Sequence, residues 1–277
     1  MRAMEIFADP ARSTLLTLAA TGLVFGLLAL VMKRGGIVAA IKRSHKEFST
    51  NLGLTLFNLV LLAPLFLVPE GAIRSAIGTP QFLAGFWNSV NQPIALVAAI
   101  LIFDFVVYWR HRLEHTPLLW AIHATHHADT AMHWLTVMRK HPLSKLLSVC
   151  LDVWLLLLLG LPEWAVGGAA FIRSWWGFFI HCDVPWTLGI FGRVLISPAA
   201  HRLHHIRDEA LMGSNYGNTV TLWDKLFGTY VDPAPHIDCD TGIAEGTRGF
   251  VGELLRPFER RYWQRPKQAD QTTEAVG

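Results

Sequence analysis

Long runs without a charged residue constrain the fold of this chain more than any other feature of its sequence. Residues 14–32 are 19 consecutive positions without a charge, just enough for a helix to cross a hydrocarbon core of about 30 Å. Four weaker apolar runs cover residues 52–68, 93–109, 146–161 and 164–180. Only Pro162 and Glu163 separate the last two, which is typical of a helical hairpin. The pattern predicts about five membrane spans.

The first apolar run could instead be a cleaved signal peptide. Such peptides have an apolar core of about 7–15 residues after a basic amino-terminal stretch. Here the run is longer, Glu5 and Asp9 precede it, and Lys33 and Arg34 follow directly. We therefore interpret it as an uncleaved span.

Composition supports a membrane protein and argues against other classes. The chain is 52% hydrophobic and 16% charged, whereas soluble domains carry about 25% charged residues. A net charge of +3, with no basic stretch interleaved with aromatic residues, gives no indication of nucleic-acid binding. The 3 cysteines are widely separated, which argues against a disulfide framework or a thiolate zinc site.

Basic residues between the first two predicted spans indicate the orientation of the chain. They are Lys33, Arg34, Lys42, Arg43 and Lys46. Because cytoplasmic loops are enriched in lysine and arginine, this loop is predicted to be cytoplasmic and the amino terminus to lie outside. Counting spans from there places the loop near Arg74 outside and every histidine cluster on the cytoplasmic side.

The predicted fold is therefore an all-α, multi-pass transmembrane bundle of about five spans with a cytoplasmic, histidine-rich helical cap. Residues 1–92 would hold the amino-terminal spans and the basic loop, and residues 93–232 the catalytic domain. Residues 233–277 would form a cytoplasmic carboxy-terminal segment that is disordered from about residue 264. Within the hairpin, Asp152 and Arg173 lie at similar distances from the turn, and charges inside a span usually face a partner. We expect these two to pair, and the alternative is that Arg173 extends towards the membrane surface or approaches the substrate.

Ten of the 13 histidines follow a pattern. His111 and His115 are four apart, and two His-x-x-His-His triplets begin at His123 and His201. The ten are His111, His115, His123, His126, His127, His141, His181, His201, His204 and His205. On a helix, residues three and four apart share a face, while adjacent residues diverge. Each triplet can therefore contribute to one ion and reach towards a second.

Local signals place the triplets on helices, and their number indicates two metal ions. Thr116-Pro117 and Ser197-Pro198 are both typical of an N-cap followed by proline at the first helical position. Ten histidines exceed what a single zinc ion uses, so the spacing predicts two ions with all-nitrogen ligands. Imidazole suits iron, copper, nickel and zinc alike, so the spacing does not choose the element. His45, His133 and His236 fall outside the pattern, and we expect them to be structural.

The segments that carry these histidines resemble the fatty acid hydroxylase superfamily. The matching segments are residues 104–115, 119–127, 139–143 and 201–205. Residues 214–230, with Ser-Asn-Tyr-Gly-Asn at 214–218, are similar to the small sterol-desaturase-like members. The resemblance covers roughly residues 95–232 and contributes little for the first two spans.

The resemblance implies a cytoplasmic non-haem di-iron centre that uses O2 to hydroxylate or desaturate a fatty acyl, sterol or related lipid. It implies that nine of the ten histidines are metal ligands, and His141 is a further candidate. Relatives often have two histidines near the position of His181, where this chain has one followed by Cys182 and Asp183. Asp104, Asn215 and Asp224 are the candidates for catalytic residues beside the ligands. For Asp104 and Asp224, helix capping or a solvated position is the alternative.

The absence of a flavin, haem or nucleotide-binding motif in the sequence predicts an external electron donor. We expect a protein of ferredoxin or cytochrome type with its reductase, alongside the lipid substrate and the bilayer as partners. The basic loop could dock an acidic donor, although lipid-headgroup contact explains it as well. Three other classes stay open: a metal transporter, a haem-binding subunit and a zinc hydrolase. Transport would place ligands near mid-membrane, whereas these histidines follow the ends of spans.

Overall fold

The computed structural model describes residues 3–62 and 81–262, and all regular secondary structure in these ranges is helical. Strand pairing among them is limited to two isolated bridges, Leu195 with Val220 and Ile206 with Thr241. The α-helices are α1 Ala3–Lys33, α2 Ile37–Phe57, α3 Gln81–Ser89, α4 Gln92–Glu114, α5 Trp120–His127, α6 Pro142–Leu158, α7 Glu163–Ile180, α8 Pro198–His204, α9 Leu222–Leu226 and α10 Phe250–Leu255. A π-helical turn covers Asn58–Leu62, and 3-10 turns cover Arg34–Gly36, Trp134–Met138, Gly189–Arg193, Ala234–His236, Arg256–Phe258 and Arg260–Tyr262. The predicted all-α class is confirmed for the described residues.

Two segments among the described residues are long and apolar enough to cross a membrane. They are Thr14–Val60, which includes most of α1 and all of α2, and Gln92–Glu114, which is α4. Large apolar side chains of α1 point outwards, with Leu23 and Val31 about two thirds exposed, as expected of a lipid-facing surface. The predicted hairpin forms as α6 and α7, but five spans remain a prediction. The loop near Arg74 and the tail from residue 264 lie outside the described residues.

Helix α4 packs against both helices of the hairpin, and an apolar core forms where it meets α7 and the turn before α7. Its buried side chains are Ala99, Phe103, Val107, Leu161, Ala165, Val166 and Ala169. Small residues on both sides let the helices approach closely, as is usual where helices pack in lipid. The packing fixes the last turns of α4, where the first histidines lie.

Asp152 and Arg173 do not form the direct contact that their predicted pairing requires. Asp152 Oδ1 accepts a hydrogen bond from Arg110 Nε of α4 at 2.6 Å, whereas Arg173 faces Asp104 of α4, with Nε and Oδ1 4.0 Å apart. Because α4 packs against both hairpin helices, each of the two hairpin charges has its closest charged partner on α4, and the attraction between Asp152 and Arg173 acts over a longer distance.

A single arginine joins the amino-terminal helices to the carboxy-terminal segment. The Arg139 side chain is completely buried, and its guanidinium donates to Glu47 of α2 at 2.6 Å and to Glu253 of α10 at 2.7 Å. Its Nε donates to the carbonyl of Thr125 in α5 at 2.6 Å. One side chain therefore connects α2, α5 and α10, which are distant in the sequence.

A second group of ion pairs, centred on one carboxylate, lies at the end of α7. The Asp183 carboxylate contacts Lys33 at 2.8 Å and Arg43 at 3.2 Å, from the two sides of the turn between α1 and α2. Arg202 of α8 contacts the same carboxylate. The first two helices are thus anchored close to the histidines of α8.

Candidate metal centre

Nine buried or half-buried histidines converge into two groups at the end of the helical bundle. Within each group, one ring nitrogen per residue can be chosen so that all of them lie within 4.8 Å of one another. The first group comprises His111, His115, His123, His127 and His204. The second comprises His126, His181, His201 and His205. The groups adjoin, since the rings of His127 and His205 stack with their centroids 4.3 Å apart.

Each His-x-x-His-His triplet is divided between the groups. His123 and His127, four apart on α5, enter the first group, while His126 enters the second. The other triplet does the reverse, because His201 and His205 enter the second group and His204 the first. Residues four apart share a face and adjacent residues diverge, so each triplet contacts both groups.

Helix termini position these side chains. The side chain of Ser197 caps α8 by accepting from Ala200 N at 3.1 Å, and Pro198 follows at the first helical position, as the sequence predicted. Thr116 is different, because its hydroxyl donates to the carbonyl of Leu113 and α5 begins at Trp120. The segment from Thr116 to Leu119 forms a turn between α4 and α5 in place of the expected first helical turn.

Backbone carbonyls orient four of the nine rings. Nδ1 of His111 lies 3.0 Å from the carbonyl of Tyr216, and Nδ1 of His126 lies 3.2 Å from that of Arg139. Nδ1 of His181 lies 2.6 Å from the carbonyl of Gly177, and Nδ1 of His204 lies 2.7 Å from that of Ser214. A carbonyl only accepts, so in these rings Nδ1 carries the proton. The unprotonated Nε2 atom is then free to ligate, which is how protein surroundings usually fix a ligating imidazole.

The donor set fits bound cations. The Nε2 atoms of His111 and His204, both acceptors by the argument above, lie 3.0 Å apart. Two lone pairs at this distance repel each other unless a cation lies between them. Neither ring nitrogen of His127 or of His205 has a hydrogen-bond partner among the described residues, although both side chains are buried. Buried polar atoms are rarely left unpaired, and a metal ion would satisfy them.

The surroundings keep these imidazoles neutral. Burial, with the neighbouring histidines as the next cause, lowers the pKa of His127, His201 and His205 well below the ordinary value. Burial likewise lowers the pKa of His204 to about 3 and that of His181 to about 4. A metal binds only the neutral ring, so the site is already in its ligating form at neutral pH.

The three predicted catalytic residues lie beside the groups and support the loop that covers them. Asp224 accepts from the backbone of Tyr216 at 2.7 Å and of Gly217 at 2.8 Å, and so holds the carbonyl that contacts His111. Asp104 accepts from Thr219 N at 2.8 Å and Val220 N at 3.2 Å.

Asn215 has a left-handed backbone, with φ of 52°. Its side chain donates to the carbonyl of Val231 and accepts from Val231 N, both at 3.0 Å. Helix capping had been the alternative for the two aspartates, and in both cases the carboxylate instead binds amides of the loop, 7 and 8 residues away for Asp224 and 115 and 116 residues away for Asp104.

His141 is not brought into either group. Its Nδ1 accepts from Leu143 N at 3.2 Å at the start of α6, and its Nε2 contacts the carbonyl of Leu254 at 3.1 Å. Both nitrogens therefore have backbone partners, and we remove His141 from the ligand candidates. His45, His133 and His236 also lie outside both groups.

Sequence reasoning missed two charged residues beside the site. Glu114 lies in the last turn of α4, where it pairs with Arg110 and faces Nδ1 of His123 at 3.5 Å. Arg139 supplies the carbonyl that contacts His126. For Glu114 there was a signal, because a buried acid following an arginine in an apolar span indicates a partner nearby. Arg139 begins the family-like segment at residues 139–143, but its partners, up to 114 residues away, could not be read from that segment.

Comparison with known proteins identifies the class of this domain. Residues 96–229, just under half of the chain, match the fatty acid hydroxylase family. The chain is 33% identical over 184 residues to ornithine lipid hydroxylase OlsE of Rhizobium tropici, covering 64% of this chain and 54% of that protein. The resemblance noted from the histidine segments is thereby confirmed.

Two further relatives are named as a monooxygenase and a desaturase. Human alkylglycerol monooxygenase is 32% identical over 148 residues, which are 52% of this chain and 32% of that protein. Delta(7)-sterol 5(6)-desaturase ERG3B of Gibberella zeae is 27% identical over 169 residues, 52% of this chain and 44% of that protein. The chain thus matches about half or less of the length of each of these three relatives. No solved structure matches the sequence significantly.

Proposed function

We propose that this protein is a membrane-bound non-haem di-iron oxygenase that hydroxylates or desaturates a lipid, using O2 and electrons from another protein. The observation that carries the proposal is the pair of adjoining buried groups of five and four histidines. When bound, an iron pair supplies the reduction of O2 and the removal of hydrogen from an unactivated C–H bond. Relatives named as a lipid hydroxylase, a monooxygenase and a sterol desaturase support the substrate class.

The residues of this chain would serve the reaction by holding and shielding the metals. Helices α4, α5 and α8 carry six of the nine imidazoles, the residues directly after α4 and α8 carry two more, and His181 directly after α7 supplies the ninth. The loop at residues 214–220, held by Asp104 and Asp224, covers the first group. Such a cover excludes water, which protects a reactive site from side reactions.

We further propose that the site faces the cytoplasm, with the amino terminus on the opposite side. The basic residues between α1 and α2 support this orientation. A surface pocket of about 420 Å³ reaches His115 and is lined by Trp120, Tyr216 and Tyr262. This pocket is the place where we expect a ferredoxin- or cytochrome-type donor to deliver electrons, because it brings the surface nearest to a ligand of the first group.

Metal analysis of the purified, full-length protein tests the proposal directly. We expect about two irons per chain and no Soret band. One zinc without iron would instead support a hydrolase, and a Soret band would support a haem-binding subunit. Substitution of His127 or His205 by alanine is expected to remove iron, whereas His236→Ala, outside both groups, should leave the iron content unchanged.

Lipid mass spectrometry tests the reaction. Lipids from cells that lack the gene, compared with complemented cells, should differ by the mass of one oxygen or of two hydrogens. Complementation with His123→Ala, His127→Ala, His201→Ala or His205→Ala should fail, and complementation with His45→Ala or His236→Ala should succeed. Equal loss in the two sets of variants would contradict the assigned ligands.

A further inference from the structure

His123 differs from the other histidines of the two groups in what faces its ring. Four of the nine rings contact backbone carbonyls through Nδ1, whereas Nδ1 of His123 lies 3.5 Å from Oε2 of Glu114. Among the described residues, this is the one contact within ion-pair distance between a carboxylate and a histidine of either group. One ligand of the first group therefore has an anion behind its ring.

The contact between His123 and Glu114 is buried. The two side chains are 3% and 1% exposed, and both line a small cavity of about 60 Å³. Neither ring nitrogen of His123 has a hydrogen-bond partner among the described residues. The separation of 3.5 Å is slightly longer than an ordinary hydrogen bond, and buried polar atoms are rarely left unpaired. A small movement of the ring would complete the bond.

Glu114 is held in place by the protein itself. Its Oε1 accepts from the hydroxyl of Ser144 in α6 at 2.5 Å, and its Oε2 contacts Arg110, one turn earlier in α4. Arg110 and Lys140 both attract the carboxylate, which keeps it ionised. An ionised carboxylate only accepts hydrogen bonds and has about four sites for them. Glu114 can therefore accept from Nδ1 of His123 as well.

We propose that Glu114 is a positioning residue for His123, which holds the proton on Nδ1, presents Nε2 to the metal of the first group and makes this imidazole a stronger donor. The inference rests on the proposed function and adds a difference between its two metal sites. A carboxylate behind a ligating imidazole fixes the position of the ring proton and raises the basicity of the ligand. Because His123 belongs to the first group alone, the effect falls on one of the two metals.

Glu114→Gln in the iron-loaded, full-length protein tests the inference without turnover. Glutamine keeps the length of the side chain and removes its charge. We expect one of the two irons to be released about 10–100-fold more readily during chelator titration, the usual effect of losing such a supporting contact. Mössbauer spectroscopy should show a change in the lines of one iron, and the lines of the other should stay as in the wild type.

The reduction potential provides a measurement that a purely structural role would not change. Loss of a negative charge beside a ligand favours the ferrous state, so the potential of the affected iron should rise in Glu114→Gln. Asp152→Asn is the matched control, because it removes an equal charge from the same guanidinium. In the described part of the chain, Asp152 contacts Arg110 and no histidine. We expect this control to keep the wild-type iron affinity and Mössbauer lines.

Ser144→Ala carries the test if Glu114→Gln does not fold. It keeps the charge of Glu114 and the contact with Arg110, but it frees Oε1, so the carboxylate can turn away from His123. The same Mössbauer lines should change by a smaller amount. An unchanged spectrum in this variant would overturn the inference.

Three results with Glu114→Gln would also overturn it. They are unchanged release of both irons, equal weakening of both irons, and a loss as complete as in His123→Ala, which would make Glu114 itself a ligand. In each case a wild type that holds two irons leaves the di-iron proposal intact. A wild type that holds no iron overturns the proposed function together with this inference.

Discussion

At the scale of single residues, the candidate site depends on which ring nitrogen carries the proton. Carbonyls of residues remote from the ligands, such as Tyr216 for His111 and Ser214 for His204, accept from Nδ1 and leave Nε2 for the metal. These carbonyls are themselves held in place. Asp224 accepts from the amides of Tyr216 and Gly217 and from the hydroxyl of Thr229 at 2.7 Å, so it is a positioning residue for the first group.

Asp224→Asn is expected to weaken iron binding with little change in the fold. The asparagine amide would bring an N–H₂ group against donors that now face an oxygen, and the Tyr216 carbonyl would move. Loss of such a supporting contact typically lowers metal affinity about 10–100-fold. The measurement is iron retention during chelator titration, with Asp232→Asn on the surface as control. If both variants retain iron equally, Asp224 does not position the site.

The stability of the metal-free protein is expected to fall as the solution is acidified. The pKa of His126, His127, His201 and His205 is lowered well below its ordinary value of about 6.5 by burial. Below that pH the unfolded chain takes up protons that the folded chain does not, so acid favours unfolding. Each such histidine contributes up to about 1.4 kcal/mol per pH unit.

Thermal unfolding of the metal-free protein at pH 7, 6 and 5 measures this effect. We expect the midpoint to fall over that range, and we expect no contribution from these histidines between pH 7 and 9, where both states are neutral. A midpoint that stays the same at pH 7 and pH 5 would contradict the depressed pKa values.

At the scale of secondary structure, short helices carry histidines of both groups at once. Helix α8 is only seven residues long, yet it and the residue that follows it carry His201, His204 and His205. So short a helix is not stable by itself in water. Its position depends on the Ser197 cap and on the packing of Ile196 and Ala200 against Ile180 of α7.

Ser197→Ala is expected to destabilise α8 and to weaken both halves of the metal site. Removing an N-cap hydroxyl costs about 1 kcal/mol, and the change acts on ligands of both groups. Thermal unfolding and iron content are the measurements. Ser174→Ala, in which an exposed hydroxyl bonds only its own helix, is the control and should change neither. Full iron content in Ser197→Ala would mean that packing alone positions α8.

At the scale of the whole molecule, buried charges join regions that are far apart in the sequence. The Arg139 guanidinium links Glu47 near the amino-terminal helices with Glu253 near the end of the described chain, and its carbonyl contacts the ligand His126. The helices that precede the family domain are thus connected to the metal site through one residue.

Arg139→Met is expected to destabilise the protein strongly. Methionine preserves much of the volume but leaves the buried carboxylates of Glu47 and Glu253 without this partner, and breaking a buried pair costs about 3–5 kcal/mol. Thermal unfolding in detergent measures the effect, with Arg193→Met as the exposed control. Adding Glu47→Gln to Arg139→Met should recover part of the loss. A single variant as stable as its control would contradict the structural role of Arg139.

Much of the site follows from local sequence. The spacing of the two triplets predicted that adjacent histidines would face different ions, and the structure divides both triplets between two groups. Ser197-Pro198 predicted the start of α8, because a cap depends only on residues within one helical turn. The apolar runs predicted the helices of the bundle, since the need to satisfy backbone groups in lipid leaves few alternatives.

What the sequence alone determined is therefore the helical class, the histidine clusters and their capacity for two metals. The tertiary structure decided that His141 lies outside the groups, that Asp152 pairs with Arg110, and that Arg173 faces Asp104 of α4. Helical periodicity acts over a few residues and can be read along the chain. The partner of a buried charge depends on how whole helices pack. Helix α4 packs against both α6 and α7, and these contacts cannot be predicted from a local sequence pattern.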